Sequence, residues 1–312
     1  MIAGMTTNLK PALSFRASIG PQAPMRATFL LAALALAVPV SMAGVDINGD
    51  VREFARDIIS TRYADVRLTI SPDGMTALWF SRNRPGGAGG YDVWLSRREA
   101  AGWAEAVPVS FNTAAREFDP AFSRDGRFVY FASDRAGGLG GDDLYRVPVM
   151  KHGFGAVEHL GNEVNSPRNE WAPMIFGSTL LFASDGHGGA GRMDLFTAKR
   201  RKGGFDSVEP LPGAVNTPAD EFDATFLSDG VSLIFSRAEN LEKDPVALFY
   251  SGRIAGRYTV GNRLSDEINT PGSNTYAPML DWSDTHYIIF TTRRPADSPR
   301  GADLYRVEVR LR

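Results

Sequence analysis

The sequence predicts an all-β fold, a β-propeller of four-stranded blades, from three observations. A short motif that ends in a tight turn recurs along the 312-residue chain at intervals of about fifty residues. The copies continue into an aromatic-rich strand, a loop that is rich in glycine in the first three copies, and a second strand, and the first four copies end in an Asn-Thr-like turn. The apolar residues alternate or occur in short runs instead of following the 3.6-residue helical period, which excludes a helical solenoid.

The repeats are the first element of this prediction. The clearest copies begin at Glu117 and Glu221, with the sequences EFDPAFSRDG and EFDATFLSDG, and a weaker copy begins at Glu170. Two further copies carry SPDG at 71–74 and YAPMLDWSD at 276–284. Asp-Gly suits a tight turn because glycine tolerates positive φ. A small sheet cannot bury both faces alone, whereas radial stacking buries them and protects the edges, so five copies predict five blades.

The two ends of the repeat region predict how the ring closes. The fifth copy stops at 303–309, its third strand, so its outer strand must come from elsewhere. We expect the N-terminal segment at 44–64 to supply it, from about 51–60, ahead of repeats that cover 65–312. A short helix over 51–58 is the competing interpretation, because that stretch carries a helical apolar stripe.

Residues 1–43 are typical of a secretory leader. Met25-Arg26 provides a positive start, and the apolar run at 27–40 is too short to span a bilayer comfortably. Small residues at Ser41 and Ala43 then suit a cleavage site before Gly44. We therefore expect a periplasmic or secreted protein without a membrane span after leader removal. An uncleaved anchor, or a true start at Met25, is the alternative.

The composition excludes several classes of function. The formal net charge is -2, so no global basic field attracts nucleic acid. The absence of cysteine excludes disulfides, thiolate metal sites and a cysteine nucleophile. The four histidines show no metal-ligand spacing, and we expect neither a metal nor a cofactor.

Several motifs resemble the WD40-like (PD40) repeat of TolB-type propellers of the bacterial cell envelope. They are SPDG at 71–74, FASDR at 131–135, DLY at 143–145 and the glycine loops at 84–90 and 135–141. The resemblance covers about residues 65–312 and implies a propeller, an envelope location and contacts with a protein or the cell wall. Propellers of this family are often six-bladed, which is the alternative to five. The additional N-terminal domain of TolB has no counterpart here, so its partners are not carried over.

The candidate binding residues lie on loops that open on one face of the ring. Loops entering the innermost strands carry acidic residues, and the glycine loops carry basic ones, so both sets surround one channel opening. The binding candidates are Arg84, Glu117, Asp119, Arg135, Glu170, His187, Glu221, Asp223 and Arg294. The structural alternative is that the repeated Glu and Arg pair between blades, and that Asp92, Asp143, Asp194 and Asp303 cap the glycine loops. The fourth-blade loop at 238–246 lacks the glycines and the aspartate of the other copies. This departure marks either the side that contacts a partner or sequence drift without a function.

Signals of catalysis are poor. The chain has no Gly-x-Ser-x-Gly elbow, and Ser184, Asp185 and His187 lie in one loop, whereas triads assemble from distant segments. We predict a non-catalytic, monomeric binding module for an envelope protein, peptidoglycan or another glycan. The alternative is a carbohydrate-active enzyme, a polysaccharide lyase or glycoside hydrolase, with its site at the channel. A purely structural propeller without a ligand is the third possibility. A cluster of channel residues confined to one place in the ring would favour the enzyme.

Overall fold

The computed structural model describes residues 44–293 and 301–312, so the predicted leader at 1–43 lies outside the described residues. The described part of the chain consists of strands and turns, without a helix. The strands form the five predicted blades, which confirms the fold class.

The strands, numbered along the chain, group into blades in sequence order except for the first. That first strand is β1 (Val45–Glu53). Blade one contains β2 (Ala64–Ile70), β3 (Thr76–Arg82), β4 (Tyr91–Glu99), β5 (Gly102–Trp103) and β6 (Val107–Pro108). Blade two contains β7 (Glu117–Phe122), β8 (Phe128–Ser133), β9 (Asp143–Met150), β10 (Gly153–Phe154) and β11 (Glu158–His159).

The remaining blades follow the same plan. Blade three contains β12 (Glu170–Phe176), β13 (Thr179–Ser184), β14 (Asp194–Arg201), β15 (Gly204–Phe205) and β16 (Glu209–Pro210). Blade four contains β17 (Asp220–Phe226), β18 (Leu233–Ala238), β19 (Ala247–Ser251) and β22 (Asn262–Arg263), with a separate hairpin of β20 (Arg253–Ile254) and β21 (Arg257–Tyr258). Blade five contains β23 (Asn274–Leu280), β24 (Tyr287–Arg293) and β25 (Asp303–Leu311).

The N-terminal strand closes the ring. β1 pairs antiparallel with β25, with Val45 opposite Leu311 and Glu53 opposite Tyr305, and so becomes the outer strand of blade five. Closure by the N-terminal segment is therefore confirmed. The strand begins earlier than the expected range of 51–60, and only 51–53 of that range belong to it.

The helix considered over 51–58 does not form. Ala55 and Asp57 have φ values of 45° and 66°, in the left-handed region that a right-handed helix cannot use. The apolar stripe has another cause, since Phe54, Ala55 and Ile58 pack on a small core at the seam between blades five and one. Because these residues are buried against two blades, their spacing in the sequence resembles a helical pattern.

The innermost strands surround the central channel. β2, β7, β12, β17 and β23 contact one another in ring order. Each is interrupted by a bulge, and the residue at the bulge has a φ between 48° and 54°. The five bulge residues are Arg67, Asp119, Ala172, Asp223 and Ala277. A left-handed conformation costs a non-glycine residue of order 1 kcal/mol, so its presence in every blade indicates a requirement of the channel wall.

A repeated asparagine explains the Asn-Thr turns. The Asn165 side chain accepts a hydrogen bond from Leu144 N at 2.7 Å and donates one to Leu144 O at 3.1 Å. Asn112, Asn216 and Asn269 make the same pair of bonds with the third strand of their preceding blade. Each side chain thus extends the strand ladder where the backbone turns inward to the next blade.

Candidate functional site

The repeated glutamates lie in buried hydrogen-bond networks at the start of the innermost strands. Glu117 is fully buried, and its carboxylate accepts bonds from Thr113 N and Oγ1 at 2.6 and 2.7 Å and from Ser133 Oγ at 3.1 Å. Arg135 Nη2 donates a further bond at 2.9 Å. The network ties the incoming turn to the first two strands of blade two.

The other blades use variants of this arrangement. Glu221 accepts bonds from Thr217 and from Arg237 Nε, the latter at 2.6 Å. Glu170 accepts bonds from Ser166 and Ser184, and His187 Nε2 lies 3.6 Å away. Burial raises the pKa of both glutamates, against the opposing effect of these bonds. In blade one, Asp65 replaces the glutamate, and Arg84 Nη1 lies 3.8 Å from it.

The structure corrects the expectation that these charges pair between blades. Glu117 begins β7 and Arg135 follows β8, its neighbour in the same sheet. The pairs form within a blade because the start of the first strand lies beside the end of the second strand, at the same end of the antiparallel sheet. Arg294 lies outside the described residues.

The glycine loops of blades one to three are capped by the aspartates that follow them, as predicted, whereas residues 294–300 before Asp303 lie outside the described residues. Asp92 accepts bonds from Ala88 N and Gly89 N, Asp143 from Leu139 N, and Asp194 from Gly191 N. A Cβ added to Gly138 would lie 2.0 Å from Asp143 Oδ2, so the loop can wrap the carboxylate only with glycine there. These aspartates therefore have a structural role.

A cavity of about 350 Å³ lies at the channel opening on the face that carries these loops. We call it the channel-mouth cavity. Its volume is within the range of small-molecule sites, about 300–1,000 Å³. The lining comprises Val66, Phe80, Tyr91, Arg116, Phe118, Asp119, Asp142, Trp171, Phe222, Asp223, Leu241, Val246, Asn274 and Tyr276. Of the nine binding candidates, the structure brings Asp119 and Asp223 together here.

Aromatic rings form the first wall of the cavity. Phe80, Tyr91 and Phe118 pack with their ring centroids 5.5 to 5.9 Å apart. The Arg116 guanidinium lies over Tyr91 and Phe118 at 5.9 and 5.7 Å. Trp171 contributes a further ring on the blade-three side of the opening. This wall suits a ligand with apolar or cationic parts.

Arg116 and Asp142 are already engaged within the protein. Arg116 bonds Asp134 at 3.0 Å and Asp142 at 2.7 Å. Trp171 Nε1 donates a second bond to Asp142, at 2.9 Å. Burial raises the pKa of Asp142, while these partners lower it. The network holds the Trp171 ring at the edge of the cavity.

The floor of the cavity contains the two buried carboxyl groups of Asp119 and Asp223, and the buried guanidinium of Arg67 lies near them without lining the cavity. Asp119 is 5% exposed, and its Oδ2 accepts a bond from Ala172 N at 3.0 Å. Arg67 is fully buried and donates to the carbonyl oxygens of Ala172 and, at 3.4 Å, of Pro173. Its Nη1 lies 4.0 Å from Asp223 Oδ1, beyond hydrogen-bond distance. The five bulge positions therefore carry charge in only three blades.

The two aspartates on this floor have perturbed acidity. Burial and, next, the charge of Asp223 raise the pKa of Asp119 to about 8, while Arg67 opposes the shift. Burial also raises the pKa of Asp223, which Arg67 lowers. The two carboxyl groups therefore interact, and burial favours the protonated form of Asp119.

Sequence reasoning missed most of the cavity wall. Tyr91, Trp171 and Tyr276 occupy positions that predict only strand or core, and Arg67 lies in the weakest copy of the motif. One signal was available, because alignment of that copy on its Asp-Gly turn places Arg67 opposite Asp119. The unusual fourth-blade loop also contributes, since its Leu241 and Val246 line the cavity.

Comparisons with known proteins support the fold. No family model and no curated protein sequence matches the chain. TolB from Acinetobacter baumannii matches over 80% of this chain at 15% identity with a TM-score of 0.50, and the chain spans 57% of that protein. The catalytic domain of the Coprinopsis cinerea GH62 alpha-L-arabinofuranosidase matches over 85% of this chain and 97% of its own length, at 11% identity and a TM-score of 0.53. The Bacillus subtilis arabinanase matches over 80% and 95%, at 10% identity and 0.53.

The class that the fold defines is thus the five-bladed β-propeller. Its structural neighbours include both TolB and glycoside hydrolases, at identities that show the fold alone. None of the described residues belongs to a helix with the length and hydropathy needed to cross a bilayer.

Proposed function

We propose that this chain is a non-catalytic, exported propeller that binds a protein or cell-wall partner in the channel-mouth cavity. The observation that carries the proposal is the contrast between repeated and unrepeated residues at one opening. The repeated charges are consumed by networks that hold each blade together. The residues that line the cavity vary among the five blades, and only Phe118-Asp119 of blade two recurs among the described lining residues, as Phe222-Asp223 of blade four. A structural role would repeat with the blades, so the unrepeated set is the better candidate for a ligand site.

The rings of the cavity support binding of a macromolecular partner. Tyr and Trp are enriched among the residues that dominate binding energies, because they offer large apolar faces together with a polar atom. Trp171 is half-buried and is fixed by its bond to Asp142, so it loses little freedom when a ligand arrives.

The test is affinity capture from envelope extract and from isolated peptidoglycan sacculi with the purified protein. We expect a specific partner that is lost when Trp171→Ala removes the cavity ring. Trp103→Ala is the matched control, because Trp103 is also half-buried but lies on the short outer strand β5, beside Phe54. A partner captured equally by both variants, or no partner in either fraction, would contradict the proposal.

Export and a monomeric state belong to the same proposal. The leader predicted at 1–43 motivates export to the periplasm or the medium. Fractionation of cells and light scattering of the purified protein test the two points. Protein retained in the cytoplasm, or a stable dimer, would contradict them.

A glycoside hydrolase is the second candidate, and one observation favours it. Burial and the neighbouring Asp223 raise the pKa of Asp119, and two carboxyl groups in unlike environments are the pattern of an acid and its partner in glycoside hydrolysis. Two features weigh against it, since both side chains are almost fully buried and Asp119 is held by Ala172 N. Release of 4-nitrophenol from an arabinofuranoside, abolished by Asp119→Asn, would favour the enzyme.

A further inference from the structure

The floor of the channel-mouth cavity has fewer cations than carboxyl groups. Asp142 is paired with Arg116, but Asp119 and Asp223 share only the buried Arg67. Within the described ranges 44–293 and 301–312, Asp119 forms no ion pair within 4.0 Å, and Arg67 does not reach hydrogen-bond distance of Asp223. The two carboxyl groups therefore keep oxygen atoms that could accept bonds from a ligand.

The raised pKa of Asp119 is consistent with this shortage of positive charge. Burial and the proximity of Asp223 raise the pKa of Asp119, and the guanidinium of Arg67 does not offset them. A second positive charge placed between the carboxyl groups would favour their ionised forms. The cavity is thus electrostatically complementary to a cation.

The walls favour a cation carried on an apolar stem. Phe80, Phe118 and Phe222 offer only carbon to the cavity, and Tyr91 and Trp171 add aromatic faces near its rim. An alkyl chain gains burial against such walls, and an ammonium group is attracted to aromatic faces. An alkylammonium side chain combines both features.

A sugar fits this lining less well. Its hydroxyl groups need hydrogen-bond partners, but the polar groups here are largely occupied. Arg116 is shared between Asp134 and Asp142, and Asn274 Oδ1 accepts a bond from Val246 N at 3.1 Å. A glycan would bury hydroxyl groups without partners, whereas an ammonium group needs only the acceptors that Asp119 and Asp223 still provide.

We infer that the channel-mouth cavity binds a primary ammonium group on an aliphatic stem, the side chain of a lysine-type residue in a peptide partner. This inference rests on the proposed binding function and specifies its ligand. The ammonium would lie between the carboxyl groups of Asp119 and Asp223, and the stem would lie along the aromatic wall. The source is either a protein lysine or the diamino acid of a cell-wall stem peptide, which share this chemistry.

The inference includes a pH dependence. The charged and titratable groups around Asp119 are Asp223, Arg67, Asp142 and Tyr276. The two other carboxyl groups disfavour a further negative charge, Arg67 favours one, and Tyr276 is uncharged because burial raises its pKa. Binding of a cation would therefore expel the proton from Asp119. Affinity should rise with pH below about 8, by up to about tenfold per unit, while the lysine amine stays protonated.

Calorimetry with the purified protein tests the inference through a matched pair of probes. The probes are an end-blocked Gly-Gly-Lys-Gly-Gly peptide and its Nζ-acetylated twin, titrated at pH 6, 7 and 8. A stem peptide released from sacculi, with and without amine acetylation, separates the two sources. The variants are Asp223→Asn, which removes a cavity charge at constant shape, and Asp281→Asn, a buried aspartate bonded to Arg306 outside the cavity.

We expect at least one free-amine peptide to bind ten or more times tighter than its acetylated twin. That preference should disappear in Asp223→Asn, persist in Asp281→Asn and strengthen with pH. Equal binding of the twins, or an unchanged preference in Asp223→Asn, would overturn the inference but leave the binding module intact. If no peptide binds and affinity capture yields a neutral ligand that depends on Trp171, the ammonium site is wrong and the proposed function stands. If capture fails as well, both are wrong.

Discussion

Glu221 and Asp223 lie two residues apart on the same innermost strand, and both carboxyl groups are buried. Glu221 has counterparts in blades two and three, and its carboxylate is saturated by Thr217 and Arg237. Asp223 has alanine at the equivalent bulge of blades three and five, and the nearest cation stops short of it at 4.0 Å. In this ring, residues that recur in most blades build the blades, while positions that vary among the blades, such as the bulge that holds aspartate only in blades two and four, line the ligand site.

The largest expected effect comes from breaking two of the repeated networks. Glu117→Ala with Glu221→Ala should lower the free energy of unfolding by about 6 kcal/mol, since each change removes a buried carboxylate from a largely buried arginine at about 3 kcal/mol and the sites lie in different blades. Urea denaturation measures the loss, on the single variants if the double variant does not fold. The affinity of the folded protein for its ligand should stay unchanged.

Glu158→Ala is the control for that experiment. Glu158 bonds Arg146 at 2.6 Å, as short as the buried pairs, but its side chain is 45% exposed. Solvent screening limits its contribution to below about 1 kcal/mol. A loss as large as that from Glu117→Ala would show that burial is not what gives the repeated networks their strength.

The next effect concerns a residue of the channel-mouth cavity that does not repeat among the blades. Trp171→Ala should weaken ligand binding by about 2 kcal/mol, roughly thirtyfold, because a tryptophan ring that is fixed at a binding site typically contributes much of the binding energy. Titration calorimetry measures the affinity, and Trp103→Ala should bind normally. A Trp171→Ala protein that binds as tightly as the parent would show that the channel-mouth cavity is not the ligand site.

The smallest effect concerns stability against pH. The pKa of Asp119 is raised from 3.8 in a free side chain to about 8, so the folded state holds a proton that the unfolded state releases between these values. Its contribution is full below pH 4 and is lost as pH rises through 8, with a slope of up to about 1.4 kcal/mol per unit. Asp119→Asn should remove this part of the profile, and thermal melts at pH 6 and 7 measure the difference. A profile with an unchanged slope would contradict the assignment.

The repeats made the fold predictable. Asp-Gly turns, aromatic strands and Asn-Thr turns are local signals that occur in nearly every blade, and together they fixed the number of blades and the face on which the loops open. The position of the closing strand was less predictable. Phe54 and Ile58 pack on the seam core, and their spacing concealed that β1 starts at Val45.

The candidate site was predictable only in part. Asp119 and Asp223 were identified because they belong to clear motif copies, but the wall residues carry no chemical signature in the sequence. Tyr91 is typical of any strand, and its role depends on Phe118 from the next blade, which packs 5.9 Å away. The equivalence of Arg67 to Asp119 is recognised only when the first copy, which ends in SPDG at 71–74, is aligned with the others. Its hydrogen-bond partners are carbonyl groups more than one hundred residues away.

Two variants of β17, Glu221→Gln and Asp223→Asn, test whether repeated residues build the blades while varying residues bind the ligand. Calorimetry with the free-amine peptide, together with urea denaturation of each protein, measures affinity and stability separately. We expect Glu221→Gln to lose stability at normal affinity, whereas Asp223→Asn, which also leaves the buried Arg67 without its nearest carboxylate, loses at least tenfold in affinity. The reverse pattern, or equal loss of affinity in both, would show that repetition does not separate the blade-forming residues from the ligand site.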